Sequence, residues 1–158
     1  MNIIKNLIKP NSYDKILNNI WIGDKKSAFN KKFLKDNNIK LIINVTTVVD
    51  FIDDNNITKY RIPIFDRNKS EYHDIMISHF DEVYELIEEY VKNNKGILIH
   101  CVSGSQRSPT LLALYLMKKN KIKSKKAKKI IRKKRRIALF LCRNFQPVIN
   151  HFDKLFDH

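Results

Sequence analysis

The chain has 158 residues, 43% of them hydrophobic, and carries a formal net charge of +15 from 31 Lys and Arg against 16 Asp and Glu. That length suits one domain with a proper core, and the absence of any apolar run long enough to cross a bilayer, or of a signal-peptide pattern, argues for a soluble globular protein with no transmembrane segment. Two cysteines, Cys101 and Cys142, are too few for a disulfide framework and point to a reducing, cytoplasmic compartment.

In chain order, residues 1–18 form an N-terminal segment whose Ile3, Ile4, Leu7 and Ile8 are spaced as on a short amphipathic helix. This segment is set apart from a domain over 19–158 and is expected to dock on it or on a second copy, as in a homodimer. Trp21 and Ile22 before Gly23 suggest a short strand, and 25–36 a helix burying Ala28, Phe29, Phe33 and Leu34. Residues 40–45 read as a buried strand, and 58–64 as another that Pro63 stops. A polar loop over 65–72 leads to a long helix over 73–92 with Ile75, Phe80, Val83, Tyr84, Ile87 and Val91 inward. After a strand at 97–100 come helices at 109–119, 124–136 and 145–156. Strands alternating with helices, then helices alone, predict an α/β fold in three layers.

The positive charge is concentrated at 118–136, where no acid interrupts the run. Ser124 suits a helix cap, and Ala127, Ile130, Ile131 and Ala138 recur at helical spacing, so one face is core and the rest is solvated Lys and Arg. Such a field attracts nucleic acid, an anionic membrane or an acidic phosphoprotein, unless it is simply a solvated face.

Between the 97–100 strand and the Pro109 helix runs His100-Cys101-Val102-Ser103-Gly104-Ser105-Gln106-Arg107-Ser108. Unpaired amides at a helix start, together with successive loop amides, make a nest for an anion, and Gly104 lets the backbone fold tightly around it. The positive field favours the thiolate form of Cys101. Arg107, five residues on, offers a planar fork that matches two phosphoryl oxygens. The loop residues Val102, Ser103, Gly104, Ser105 and Gln106, with Arg107, are therefore the candidate phosphate-binding set. Asp66, in the loop after Arg61-Ile62-Pro63-Ile64-Phe65, is the candidate to protonate a leaving oxygen, with Glu71 and Asp74 in reserve. Closing its own turn is Asp66's structural alternative. His73, His79, His151 and His158 share no metal-ligand spacing, and neither metal nor cofactor is expected.

The stretch resembles the His-Cys-x5-Arg-Ser/Thr signature of cysteine-dependent phosphatases, specifically the small dual-specificity phosphatases. The likeness extends from Ile20-Trp21-Ile22-Gly23 through Asn44-Val45-Thr46 and Ile62-Pro63-Ile64-Phe65-Asp66 to Ala113-Leu114-Tyr115-Leu116-Met117. It departs at Ser103, where the family usually carries alanine, and at Gln106, where it usually carries a small residue. The resemblance implies a protein-tyrosine-phosphatase-like fold, with a central twisted mixed sheet flanked by helices, and hydrolysis of phosphotyrosine and phosphoserine or phosphothreonine in phosphoprotein substrates. It makes Cys101 the nucleophile, Asp66 the general acid and base, Ser108 the hydroxyl beside the thiolate, and His100 the residue that orients the loop. Asn44 would brace the loop or merely close a strand-end turn. Gln106 would hold a water or point outward, and Cys142 would pair with an oxidised Cys101 or simply pack.

Two other functions stay open at this point. An RNA 5′-triphosphatase on the same scaffold suits the basic surface, although such relatives often lack the acid that Asp66 supplies here. A non-catalytic phospho-binding pseudophosphatase would use the loop only to grip. The Lys, Asn and Ile-rich composition also resembles the phosphatases of large DNA viruses such as poxviruses, which implies a viral protein in the host cytosol or the virion.

Overall fold

The computed structural model describes residues 9–141 and 143–156; the apolar residues of 1–8, Cys142 and His158 lie outside them. A five-stranded mixed sheet takes the order β1-β2-β5-β3-β4, with β1 (Tyr13–Leu17), β2 (Ile20–Gly23), β3 (Ile39–Asn44), β4 (Thr58–Arg61) and β5 (Gly96–His100). β1 runs antiparallel to β2, and the other four strands are parallel. β5 sits at the centre and is buried at every position, which is why it reads as an unbroken apolar run. Register aligns Gly23, His100, Asn44 and Arg61 across the carboxyl edge of the parallel strands, where α/β sheets place their ligands.

The two faces of β5 divide the core. Ile97 and Ile99 face the larger cluster, built with α2 (Ser70–Lys92), α3 (Arg107–Asn120), α4 (Ser124–Lys134) and α5 (Gln146–Leu155). Leu98 faces the smaller one, with Phe33 and Leu34 of α1 (Lys31–Asp36) and the Trp21 ring. α3 is buried from Arg107 through Met117 and is apolar nearly all round because it lies at the centre of the helical layer. No helix among the described residues is long and apolar enough to cross a membrane.

Several elements differ from the sequence expectation. Residues 13–17, within the segment set apart as 1–18, form a strand paired with β2, and Asn19 turns the hairpin at φ 63°. The 25–36 helix is reduced to a 3-10 turn at Ser27–Phe29 and the six residues of α1. Asp24 Oδ1 accepts from the Lys26 and Ser27 amides at 2.9 and 3.0 Å, and the Asn30 side chain caps α1 through the Phe33 amide. Both compete with a continuous helix. Phe29 is left 47% exposed. β4 ends at Arg61 rather than 64, α2 begins at Ser70 rather than 73, and Met76 takes the core position expected of Ile75. α4 ends at Lys134, where Arg135 turns extended.

Candidate active site

The loop between β5 and α3 gains its shape from the way each carbonyl is tied outward. Cys101 O faces His100 Nδ1 at 3.1 Å, and Val102 O accepts from the Lys25 amide at 3.0 Å. Ser103 O and Gly104 O accept from Arg135 Nη2 and Nε at 3.0 and 2.9 Å. Ser105 O takes the Leu139 amide at 2.8 Å, and Gln106 O takes the Thr110 amide at 2.9 Å. In a planar trans peptide unit the N–H points opposite to the C=O, so six outward carbonyls turn the N–H groups of residues 102–107 inward. None of those six amides donates to an acceptor among the described residues. Gly104 takes φ +67°, and a Cβ there would lie 2.7 Å from Gly23 O and 2.8 Å from Arg135 Nη2. Only glycine fits that position.

At the floor of this nest Cys101, 2% exposed, places Sγ 3.2 Å from Ser108 Oγ in the first turn of α3. Arg107 is 6% exposed, and its Nη1 donates to Ile64 O at 3.0 Å while its Nε is buried without a partner among the described residues. A buried guanidinium with an unsatisfied donor suits an arriving anion. Cys101 O can only accept, so the His100 proton sits on Nδ1 and the buried Nε2 carries the lone pair. Burial lowers the pKa of His100 to about 4, with the Arg61 and Arg107 charges adding to it against the hydrogen bond that its Nδ1–H donates to Cys101 O. With its pKa there the ring is neutral at pH 7, and its Nδ1–H holds the Cys101 carbonyl.

The loop after β4 is tied to the same arginine through Ile64 O, two residues before Asp66. Asp66 is exposed, and Asn144 Nδ2 donates to its Oδ1 at 2.9 Å. Asn144 is in turn fixed through its carbonyl by His73 Nε2 at 2.6 Å. Glu71 and Asp74 are exposed in the first turns of α2, outside these contacts.

Three residues of this arrangement were missed from sequence: Lys25, Asn144 and above all Arg135. Arg135 is 2% exposed, and besides its two bonds to the loop its Nη1 donates to Asn11 O at 2.8 Å and pairs with Asp14 Oδ2 at 2.7 Å. It was counted with the solvated charge of 118–136, yet Ala127, Ile131 and Arg135 recur every fourth residue, and that period marks 135 as inward. Asn44 takes the strand-end role: its side chain bonds Thr46 and Val49 O rather than the phosphate loop. The side-chain oxygen of Gln106 is buried without a hydrogen-bond partner among the described residues.

A thiol below six inward amides and a buried arginine, on the strand-to-helix turn of a mixed sheet flanked by helices, is the architecture of the cysteine-dependent phosphatases. Residues 20–154 match the dual specificity phosphatase catalytic domain, and the chain belongs to that family. Among its relatives, dual specificity protein phosphatase 1B of Arabidopsis thaliana is 31% identical over 119 residues, 75% of this chain and 69% of the relative. A probable dual specificity protein phosphatase of Dictyostelium discoideum is 39% identical over 123 residues, 71% of this chain and 51% of that protein. In structure the chain is similar to human DUSP28, with a TM-score of 0.84 at 17% identity over 94% of this chain and 97% of that one.

Proposed function

We propose that this chain hydrolyses phosphotyrosine and phosphoserine or phosphothreonine in proteins by two displacements at Cys101. The Cys101 thiolate attacks phosphorus while the six amides and Arg107 hold the equatorial oxygens. The bond from phosphorus to the substrate oxygen breaks, and the Asp66 carboxylic acid protonates that oxygen as it leaves. Asp66, now a carboxylate, takes a proton from water. The resulting hydroxide displaces sulfur, releasing inorganic phosphate and restoring the thiolate, toward which Ser108 directs its O–H. Asn144 keeps the Asp66 carboxyl on the loop that Arg107 anchors.

The observation that carries this reading is the set of six outward-tied carbonyls around Cys101. The test is hydrolysis of phosphotyrosyl and phosphothreonyl peptides and of triphosphate-ended RNA, with a chelator present, by the wild type, Cys101→Ser and Asp66→Ala. Peptide turnover should fall at least about 10³-fold with the first change and about 10²–10⁴-fold with the second. RNA turnover indifferent to Asp66, with no peptide turnover, would make the chain an RNA phosphatase. Phosphopeptide binding with no turnover would make it a binding module.

A further inference from the structure

Lys125, Lys128, Lys129, Arg132 and Lys133 of α4, with Arg136 just beyond it, line a groove of about 620 Å³ against the turn that follows the helix. Lys125, Lys129, Arg132 and Lys133 are exposed along it, at a spacing that puts them on one side of the helix, and Arg136 is exposed in the turn beyond. None of the five is in an ion pair among the described residues, whereas Lys118 and Lys119 on α3 are paired with Asp81 and Glu88. No acidic residue among the described residues lines the groove. Its floor carries Leu139 and the ring of Phe140.

Position gives this stripe its meaning. The Leu139 amide is the group that holds Ser105 O, so the groove's floor is joined to the rim of the phosphate loop by one hydrogen bond. A segment lying in the groove therefore borders the turn that ties the Ser105 carbonyl of the phosphate loop. From Lys125 to Lys133 the helix rises about 12 Å, a length that an extended peptide spans in about four residues. The Arg132 guanidinium lies 5.3 Å from the centre of the Phe140 ring, which is 49% exposed, so the groove offers one ring edged by cations rather than the succession of aromatic faces on which the bases of a single strand stack.

We propose that the α4 stripe is a docking track for an acidic segment of the same phosphoprotein that delivers its phosphoresidue to Cys101; the proposal rests on the phosphatase reading and specifies its substrate class. Carboxylates or further phosphate groups about four to eight residues from the scissile one meet the stripe while the phosphoresidue occupies the loop. The stripe acts on binding and encounter rather than on the chemical step.

The test compares phosphotyrosyl peptides that differ only in a block of four Glu or four Gln placed before or after the phosphotyrosine. The proteins are the wild type, Lys129→Glu/Lys133→Glu and the control Lys92→Glu/Lys95→Glu, which changes net charge equally at the opposite end of β5. With wild type and control, one Glu placement should raise kcat/KM about tenfold through KM at low salt, the effect of a few exposed ion pairs, and the advantage should vanish in the α4 variant. Hydrolysis of p-nitrophenyl phosphate should be equal in all three and reports on the phosphatase reading alone. Binding of the same peptides to Cys101→Ser protein, followed by fluorescence anisotropy, tests the track even without turnover. Equal affinity for Glu and Gln peptides, or a Glu advantage that survives in the α4 variant, would overturn the proposal. So would a single-stranded RNA or a phosphatidylserine vesicle that binds more tightly than the Glu peptide and is lost with Lys129 and Lys133.

Discussion

At His100 the burial that holds the ring against the Cys101 carbonyl also fixes its charge. Its pKa is lowered to about 4 in the fold and returns to about 6.5 in the unfolded chain. Between those values the unfolded state binds the extra proton, so this group's contribution is fully present above pH 6.5 and is lost as pH falls toward 4. The contribution is about 3 kcal/mol. Denaturant titrations from pH 7.5 to 4.5 should therefore show a steeper loss of stability in the wild type than in His100→Gln, which cannot titrate; parallel curves would refute the assignment. Arg135 acts by geometry instead. Arg135→Met leaves Asp14 and two loop carbonyls without their partner and should cost about 3–5 kcal/mol, seen as a fall in Tm of roughly 10 °C. Arg135→Lys keeps the charge but not the fork that holds Ser103 O and Gly104 O together. It should leave Tm closer to wild type yet weaken vanadate binding and lower kcat/KM about 10-fold or more, because the loop amides are no longer held in place.

Among the elements, the strand, loop and helix around Cys101 were legible because three independent signals agree there: a buried apolar strand, a glycine where the backbone needs positive φ, and a helix with Pro109 in its first turn. β1 was not, because Tyr13–Leu17 alternates weakly and its pairing depends on a two-residue Asn turn and on Arg135 from the far end of the chain. The cap of α4 shows the same limit. Ser124 was read as the cap, but it is the first helical residue, and Asp153 of α5 accepts from both its amide, at 2.9 Å, and its hydroxyl. A partner 29 residues away leaves no local pattern. This carboxylate carries unusual weight, since the first turn of α4 has no acid of its own and its Lys125 and Lys126 oppose the helix dipole. Asp153→Ala should lower stability by about 1–2 kcal/mol in urea titrations. A change within error would mean that packing of Ala127 and Ile131 alone holds the helix.

For the molecule as a whole, 31 basic against 16 acidic side chains leave a charge that nearby pairs do not cancel. Four ion pairs form among the described residues, and in three of them a partner is at least 45% exposed. Exposed pairs contribute little, so the net electrostatic effect on the fold is repulsion, strongest along α4 where the stripe cations stand unpaired. Salt screens that repulsion: the Debye length shrinks from about 30 Å at 0.01 M to about 10 Å at 0.1 M. Stability should therefore rise with sodium chloride over this range, the reverse of a protein held by surface ion pairs, with Tm a few degrees higher at the upper end. Lys129→Glu/Lys133→Glu, which relieves the densest part of the field, should raise Tm at low salt and flatten the dependence. A Tm that falls as salt is added would show that attraction outweighs repulsion. Because the same screening weakens an acidic substrate's attraction to the stripe, the salt that stabilises the fold should reduce kcat/KM for the Glu peptides, separating the two roles of one charge pattern.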